Sequence, residues 1–502
     1  MSRALFLAVL LWVIPGVSHA AEAFAQPMTA SVFGTALAFI TPRTLEPEGM
    51  PQLTVWGLRG LTTVDPTLVP EVREKEMRLL QSGKPIFSAP LPDGDDATGW
   101  GNLAANMAAA AYAASDPIRQ GGTQGIVRSF FDELFNHLDP YSRYVPPGAA
   151  DTERDRRSGQ AGLGLALART RAGMVVSTVV PSSPADDAGL RPGDRILSVD
   201  GRPIRGEAAA AIEALIAGPE GTTVRLVWRG RGRPQQAEIE RALVPPQTVT
   251  AERLDDVVLI HITGFSVDTD DQFAAALEAA FAGHKVRGII IDLRGNRGGL
   301  LRQAVSVTDQ VMTDGLVTTT AGRNPQSSHV WPGGTNGDGA QGRPMIVLVD
   351  GRTASAAEIM AAALADNGRA VIVGSATLGK GLVQTISPLP DGGELFVTWS
   401  RVLAPGGWPL QGLGIMPQVC TSLGNDSVNA QLADLLKGQQ SLAPALARHN
   451  AARAPLPVAQ VVELRNACPA AEGRDSDLDA AGYLLDHPSA YQTALSKLVA
   501  AP

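Results

Sequence analysis

Short apolar runs alternate with helical patterns between residues 244 and 424, and this alternation constrains the fold more than any other feature. Apolar stretches of strand length recur there, bounded by turn residues, with segments of helical spacing between them. Strands that alternate with helices form a sheet covered by helices, so the segment predicts a layered α/β core. The strand candidates are 257–262, 286–293, 345–350 and 370–374, and the helix candidates are 271–282 and 355–365.

The chain has 502 residues, too many for one hydrophobic core, so several units are expected. Hydrophobic residues make up 44% and charged residues 18%, which indicates a globular protein. The net charge of −8 argues against a general binder of nucleic acid or anionic membranes. We divide the chain into a signal peptide (1–20), a mainly helical region (26–157), a β-rich module (158–243), the α/β core (244–424) and a helical tail (425–502).

The N-terminus has the pattern of a secretory signal peptide. Arg3 supplies the positive charge, residues 4–14 are apolar, and Ser18-His19-Ala20 offers small residues for cleavage. A membrane anchor is the alternative, but the apolar run is too short to span a bilayer, and no later stretch is long enough. The sequence therefore predicts a periplasmic or otherwise exported protein without a stable membrane span.

Two cysteines, Cys420 and Cys468, lie in the part that would be exported. Export permits disulfide formation, so we predict that they are bonded, with two buried free thiols as the alternative. The bond would close a loop of about 48 residues and stabilise the fold by roughly 3–4 kcal/mol on the chain-entropy account.

The β-rich module has a glycine-flanked loop, Gly162-Leu163-Gly164-Leu165, followed by the long Pro- and Gly-containing motif at 183–201. This pattern resembles a PDZ domain. A glycine-flanked loop before a strand exposes backbone N–H groups to a terminal carboxylate, and the peptide adds as a strand at the sheet edge. The alternative is a glycine hairpin without a ligand. We expect the module to bind free, apolar protein C-termini.

Ser355 begins a predicted helix, and Lys380 lies on a glycine-rich turn downstream. Ser355 and Glu358 match a helix capping box, so the serine could serve only as a cap. A hydroxyl at a helix N-terminus also lies beside free N–H groups, where an oxyanion is stabilised. Together the two residues are typical of a hydrolase that uses lysine rather than histidine as its base.

Lys380 has two other interpretations, a solvated surface lysine and the lysine of a phosphate-binding loop. Residues 374–380 fit the start of such a loop after an apolar strand. However, position 381 is Gly rather than Ser or Thr, and residues 382–402 have the pattern of strands rather than of the phosphate-binding helix. The seven histidines are scattered without a zinc-binding motif, so no metal or other cofactor is expected.

From 138 to 419 the chain resembles the carboxyl-terminal processing peptidases, also called tail-specific proteases. The resemblance rests on Leu138-Asp139-Pro140-Tyr141-Ser142, the PDZ pattern, the stretch 292–299, the Ser355 helix and the Lys380 turn. It implies a ClpP/crotonase-like α/β core within a multidomain α/β and α+β protein. The residues that the resemblance assigns are Ser355 as nucleophile, Lys380 as general base, Gln384 as the group that orients the lysine, Glu358, Asp366 and Thr377 as supporting groups, and Gly298, Gly299 and the Ala356 N–H as the oxyanion hole.

Two positions depart from the family pattern, because Arg297 stands where proline is usual and Gln418 where aspartate is usual. Both glycines of the oxyanion loop are kept. We therefore predict an exported serine endopeptidase with a Ser-Lys dyad, and an inactive PDZ scaffold of the envelope is the alternative. The natural substrate, any homo-oligomer, and the roles of 26–130 and 425–502 are left open at this point.

Overall fold

The computed structural model describes residues 23–171, 173–335 and 337–496, so the predicted signal peptide lies outside the described residues. The chain divides into two compact units. The first comprises Met1–Pro147 and Thr385–Val397, and the second comprises Gly148–Gln384 and Thr398–Pro502.

In the described residues of the first unit there are four helices, and α1 packs against α3 while α2 packs against α4. A Cβ at Gly60 would lie 2.1 Å from the carbonyl oxygen of Ser129, so this close approach of α2 and α4 requires glycine. Its helices and strands are α1 (Gln26–Ile40), α2 (Met50–Val64), β1 (Leu68–Arg73), β2 (Glu76–Gln81), β3 (Lys84–Pro90), α3 (Ala97–Ala114), α4 (Asp116–Asn136) and β4 (Arg143–Val145).

The antiparallel sheet β1-β2-β3 lies within the region 26–157 that the sequence predicts to be mainly helical, and no strand is predicted there. In β2 only Met77 and Leu79 are buried, and β3 has no buried residue. Such a weak alternation of apolar and polar residues is a poor strand signal. The strand β4 pairs with residues 394–396 of the same unit.

The β-rich module of the second unit contains a sheet of strand order β11-β10-β8-β7-β6, with β9 paired to β8. The short strands β5 and β12 pair with each other where the chain enters and leaves the module. The elements are α5 (Pro147–Ser158), β5 (Gln160–Gly162), β6 (Leu165–Thr170), β7 (Gly173–Val179), α6 (Pro184–Asp187), β8 (Arg195–Val199), β9 (Arg202–Pro203), α7 (Ala209–Ile216), β10 (Thr223–Arg229), β11 (Gln235–Glu240) and β12 (Ala242–Val244).

The layered α/β core follows the predicted alternation. Its central sheet has the order β13-β14-β15-β18-β19-β22, parallel except for the pair β13–β14, and a second sheet has the order β17-β16-β21-β20. The elements are β13 (Val249–Leu254), β14 (Val257–Ile262), α8 (Thr269–Phe281), β15 (Gly288–Asp292), α9 (Leu301–Asp309), β16 (Leu316–Ala321), a 3-10 turn (Pro325–Ser327), β17 (His329–Pro332), β18 (Met345–Val349), α10 (Ala356–Asp366), β19 (Val371–Gly374), β20 (Leu382–Pro388), β21 (Glu394–Leu403) and β22 (Val419–Cys420).

Successive side chains of a strand point to opposite faces, and both faces of the central sheet are apolar. Ile289 and Ile291 pack with α8, α9 and α10 on one face, whereas Ile290 packs with the tail on the other. The tail therefore completes the core. Its helices are α11 (Asn425–Leu436), α12 (Ala443–Asn450), α13 (Val458–Arg465), α14 (Asp475–Asp486) and α15 (Pro488–Leu495). Cys420 and Cys468 form the predicted disulfide, with an S–S distance of 2.06 Å.

Candidate active site

Ser355 lies at the N-cap of α10, at the end of a tight turn that follows β18. Its backbone has φ 57° and ψ −118°. Residues other than glycine rarely adopt this conformation, which costs about 1–3 kcal/mol. The buried carboxylate of Asp350 fixes the turn, because its Oδ1 accepts hydrogen bonds from the N–H groups of Gly295, Arg352 and Thr353 over 2.9, 3.0 and 3.0 Å. A strained serine in a rigid turn is typical of a nucleophile rather than of a simple helix cap.

Glu358 is fully buried in the first turn of α10 and connects the Ser355 helix to the Lys380 loop. Its carboxylate accepts hydrogen bonds from the N–H groups of Ser355 (2.8 Å), Gly379 (2.7 Å) and Lys380 (2.9 Å), and from the Thr377 hydroxyl. Burial raises the pKa of Glu358, and these four hydrogen bonds oppose that rise. Ser355 and Glu358 do occupy the positions of a capping box, but the carboxylate also serves the lysine loop.

The glycine loop at 298–299 lies against Ser355. A Cβ at Gly298 would be 2.8 Å from the Ser355 Cβ and 2.9 Å from the Ala356 nitrogen, so the sequence-predicted oxyanion residues are neighbours in space. The Gly298 N–H donates to Asn296 Oδ1 over 2.8 Å. The Gly298 N–H is therefore already engaged, and the oxyanion role of the Gly299 and Ala356 N–H groups stays a prediction.

Lys380 is half-buried on the turn between β19 and β20. Gln384 lies in β20, and its side-chain amide nitrogen donates to the Leu382 carbonyl (2.9 Å) and to Thr398 Oγ1 (3.1 Å). The segment after Lys380 is the strand β20 and not a helix, which counts against a phosphate-binding loop. The roles assigned to the Lys380 and Gln384 side chains stay predictions.

Asp366 ends α10, and Ser355 caps its start, about 16 Å away along a helix of this length. Its Oδ2 accepts hydrogen bonds from the Gly406 N–H and the Trp408 indole N–H, both over 2.9 Å. Asp366 thus stabilises the turn after β21, at the far end of the helix from Ser355.

The two departures from the family pattern differ in their surroundings. Gln418, which stands where aspartate is usual, bonds to Ile372 in β19. Its side-chain Oε1 accepts the Ile372 N–H over 2.7 Å, and its main-chain N–H donates to the Ile372 carbonyl over 2.9 Å. Arg297 is exposed beside the glycine loop.

His261 lies near Asp292, with Nδ1 3.7 Å from Oδ2, and this pair is on the tail side of the sheet. Within β14, Ile260 and Ile262 pack with α10, so the intervening His261 points to the opposite face. The neighbouring Asp292 carboxylate raises the pKa of His261. Burial acts to raise the pKa of Asp292, but interactions with His261 and Arg294 prevail and lower it to about 2. His261 is therefore on the face of the sheet opposite α10, away from the helix that Ser355 caps.

A tail segment that the sequence reading could not assign, 465–477, crosses the carboxyl ends of the central strands, and we call it the strap. The Gly351 N–H and the Ser375 hydroxyl both donate to the Ala471 carbonyl, over 2.7 and 2.8 Å. Other strap contacts include Cys468 to Cys420, Arg294 to Asp477 Oδ2 (3.2 Å), and Arg465 to the Thr377 carbonyl (2.7 Å).

In the β-rich module, β6 is the last strand of its sheet, and within the described residues only β7 pairs with it. A cavity of about 470 Å³ lies beside this edge, lined by the Gly162-Leu163-Gly164-Leu165 loop and by the end of α7 with Glu213 and Ile216. An open edge strand next to an apolar groove is the geometry that strand addition requires.

In the portion of the chain that the structure describes, no group of three or more His, Cys, Asp or Glu side chains is arranged to hold a metal ion. The same portion contains no helix with the length and apolarity to cross a membrane.

Two family profiles match the chain: peptidase family S41 over residues 256–421 and the PDZ domain over residues 175–230. Fold and site thus define a serine-type peptidase with a PDZ domain. A carboxy-terminal-processing protease of Bartonella bacilliformis is 34% identical over 303 residues, covering 59% of this chain and 69% of that protein. The chain belongs to the carboxyl-terminal processing peptidases of family S41.

A second relative and a solved structure are also similar to this chain. The carboxy-terminal processing protease CtpA of Bacillus subtilis is 31% identical over 61% of this chain and 65% of its own length. Among solved structures, a photosystem II D1 C-terminal processing protease is 25% identical, with a TM-score of 0.36, over 76% of this chain and 97% of that one.

Proposed function

We propose that this protein is an exported endopeptidase that captures free, apolar protein C-termini in its PDZ groove and cleaves them at Ser355, with Lys380 as the base. The observation that carries the proposal is the shared use of Glu358, since one buried carboxylate holds the main chain of both residues. An inactive PDZ scaffold is the second candidate, and the cleavage assay below distinguishes it from an active peptidase.

The proposed reaction begins when neutral Lys380 removes the proton of the Ser355 hydroxyl as its oxygen attacks the scissile carbonyl. The N–H groups of Gly299 and Ala356 stabilise the negative oxygen of the tetrahedral intermediate. The protonated lysine then gives its proton to the leaving amine, and an acyl-enzyme forms. Water hydrolyses this ester with Lys380 again as the base, which regenerates Ser355. None of these steps needs a cofactor.

Substrate capture is proposed to use β6 as the template strand. The last residues of the substrate add antiparallel or parallel to this edge, and their terminal carboxylate meets the N–H groups at 162–165. The apolar lining at Ile216 and Leu165 favours an apolar last side chain. Export is inferred from the signal-peptide pattern around Arg3 and agrees with the disulfide.

The test is cleavage of a quenched fluorescent peptide with a free, apolar C-terminus. Wild type and a control, Ser489→Ala at an exposed tail serine, should cleave it, whereas Ser355→Ala should bind the peptide without cleaving it. Binding without cleavage by wild type would favour the scaffold. Full cleavage by Ser355→Ala would remove Ser355 as the nucleophile.

A further inference from the structure

Arg465, the last residue of α13, reaches from the tail into two loops of the core. Its Nη2 donates to the Thr377 carbonyl over 2.7 Å, and its Nη1 donates to the carbonyls of Leu413 (2.8 Å) and Gly412 (3.3 Å). A Cβ at Gly414 would lie 2.9 Å from Arg465 Nη1, so the guanidinium fills its site closely.

The two loops that Arg465 joins are the ones that hold Lys380. The Gly412 N–H donates to the Gly379 carbonyl over 2.8 Å, and the Ile415 N–H donates to Thr377 Oγ1 over 2.8 Å. The Thr377 hydroxyl in turn donates to Glu358, which also accepts the Lys380 N–H. Movement of the guanidinium would therefore displace the main chain that carries Lys380 and that Glu358 links to Ser355.

Arg465 and Glu358 both bond to Thr377, which brings the two charged groups into the same neighbourhood. Glu358 is fully buried, and a carboxylate in such a place is costly unless donors and a positive charge offset its loss of water. Burial acts to lower the pKa of Arg465, and its attraction to Glu358 acts to raise it. A guanidinium keeps its charge in this setting, and its planar fork of N–H donors can bond three carbonyl oxygens at once.

We propose that Arg465 is a positioning residue of this peptidase, which fixes the Lys380 loop relative to Ser355 and balances the charge of Glu358. The inference rests on the proposed Ser-Lys function. The tail lies beyond the matched S41 segment 256–421. Under this inference, a tail residue sets the position of the proposed base. The disulfide at Cys468, three residues on, anchors the strap that carries Arg465.

The test compares full-length variants in the peptide-cleavage assay. Arg465→Met should lower kcat by about 100-fold, the effect expected when a catalytic group is displaced by about 1 Å, while KM changes little. Arg465→Lys retains the charge without the fork of donors, so it should recover part of kcat. The control is Arg453→Met, which removes a tail arginine bonded to the Gly406 carbonyl (3.0 Å) and should keep kcat within about twofold.

Circular dichroism and thermal unfolding show whether each variant is folded. If Arg465→Met does not fold, a folded Arg465→Lys with wild-type kcat overturns the inference. A raised KM with unchanged kcat would overturn it too, because Arg465 would then act in substrate binding. Ser355→Ala and Lys380→Ala separate the two proposals. If either stays active, the dyad fails, and if both are inactive while Arg465→Met equals wild type, only the role of Arg465 fails.

Discussion

The main-chain N–H groups of Ser355 and Lys380 donate to the same oxygen, Oε2 of Glu358, over 2.8 and 2.9 Å. The two residues lie on different loops of the core, one before α10 and one after β19. A shared acceptor fixes their relative main-chain positions without using either side chain. The buried carboxylate thereby sets the main-chain geometry of the proposed nucleophile and the proposed base.

Lys380 should control the pH dependence of cleavage. A lysine is a base only when neutral, so the acylation rate should rise on the alkaline side of neutrality. Lys380→Ala should abolish turnover, and Lys380→Arg should fail as well because guanidinium stays charged. Single-turnover acylation measured across pH tests this, with the exposed Lys437→Arg as control. Substantial activity in Lys380→Arg would exclude Lys380 as the base.

The PDZ groove should require a free carboxylate. Amidation of the substrate C-terminus should weaken its binding to full-length Ser355→Ala, because the loop at 162–165 supplies N–H donors. Gly164→Ala should have the same effect, since φ is 74° and a Cβ would lie 2.3 Å from the Ser183 Cβ. The control is Gly221→Ala, where φ is 75° but a Cβ meets nothing within 4 Å. Equal affinity for amide and acid, measured by calorimetry, would refute carboxylate capture.

Removal of the PDZ module should change the rate on folded proteins with C-terminal tails. Deletion of 160–243 is feasible because β5 and β12 pair, and a Cβ at Gly159 would lie 2.1 Å from the Val244 carbonyl oxygen. We expect slower cleavage of tailed proteins, with a smaller change for short peptides. An unchanged rate on tailed proteins would show that the module neither gates Ser355 nor delivers substrate to it.

Loss of the disulfide should weaken both stability and cleavage. The bond closes a 48-residue separation, worth about 4 kcal/mol on the chain-entropy account. Reduction, or the double variant Cys420→Ser with Cys468→Ser, should lower the free energy of unfolding in urea and reduce kcat as the strap loosens. The double variant should not respond to reductant. A wild type whose unfolding is the same with and without reductant would contradict this role.

Asp292 should make folding sensitive to acid. Its folded pKa of about 2 lies below the ordinary 3.8, so the carboxylate stabilises the fold above about pH 4 and loses this effect as pH falls toward 2. The stabilisation is about 2 kcal/mol. Asp292→Asn should therefore unfold more easily at neutral pH and lose less stability in acid. Urea titrations at several pH values check the slope, with Asp256→Asn at a more exposed ion pair as control.

Several elements of the fold were predictable from local pattern. The strand Val257–Ile262 has the predicted bounds, and the helix Ala356–Asp366 begins one residue after the predicted start, because apolar runs and cap residues are local signals. The sheet at 68–90 was missed because few of its residues are buried. The partners of Asp366, the Gly406 N–H and the Trp408 indole, also needed the structure, since the sequence does not show which residues meet the end of a helix.

The sequence by itself determined the alternation of strands and helices, the PDZ pattern and the resemblance to carboxyl-terminal processing peptidases, because each depends on residue type and short spacing. It also predicted the disulfide, from the presence of two cysteines in an exported chain. Only the tertiary structure decided that Glu358 joins Ser355 to Lys380, that Gly298 already donates to Asn296, and that Arg465 enters the lysine loop. These contacts join distant parts of the chain. Burial and hydrogen-bond geometry select them, and no local pattern records the partner.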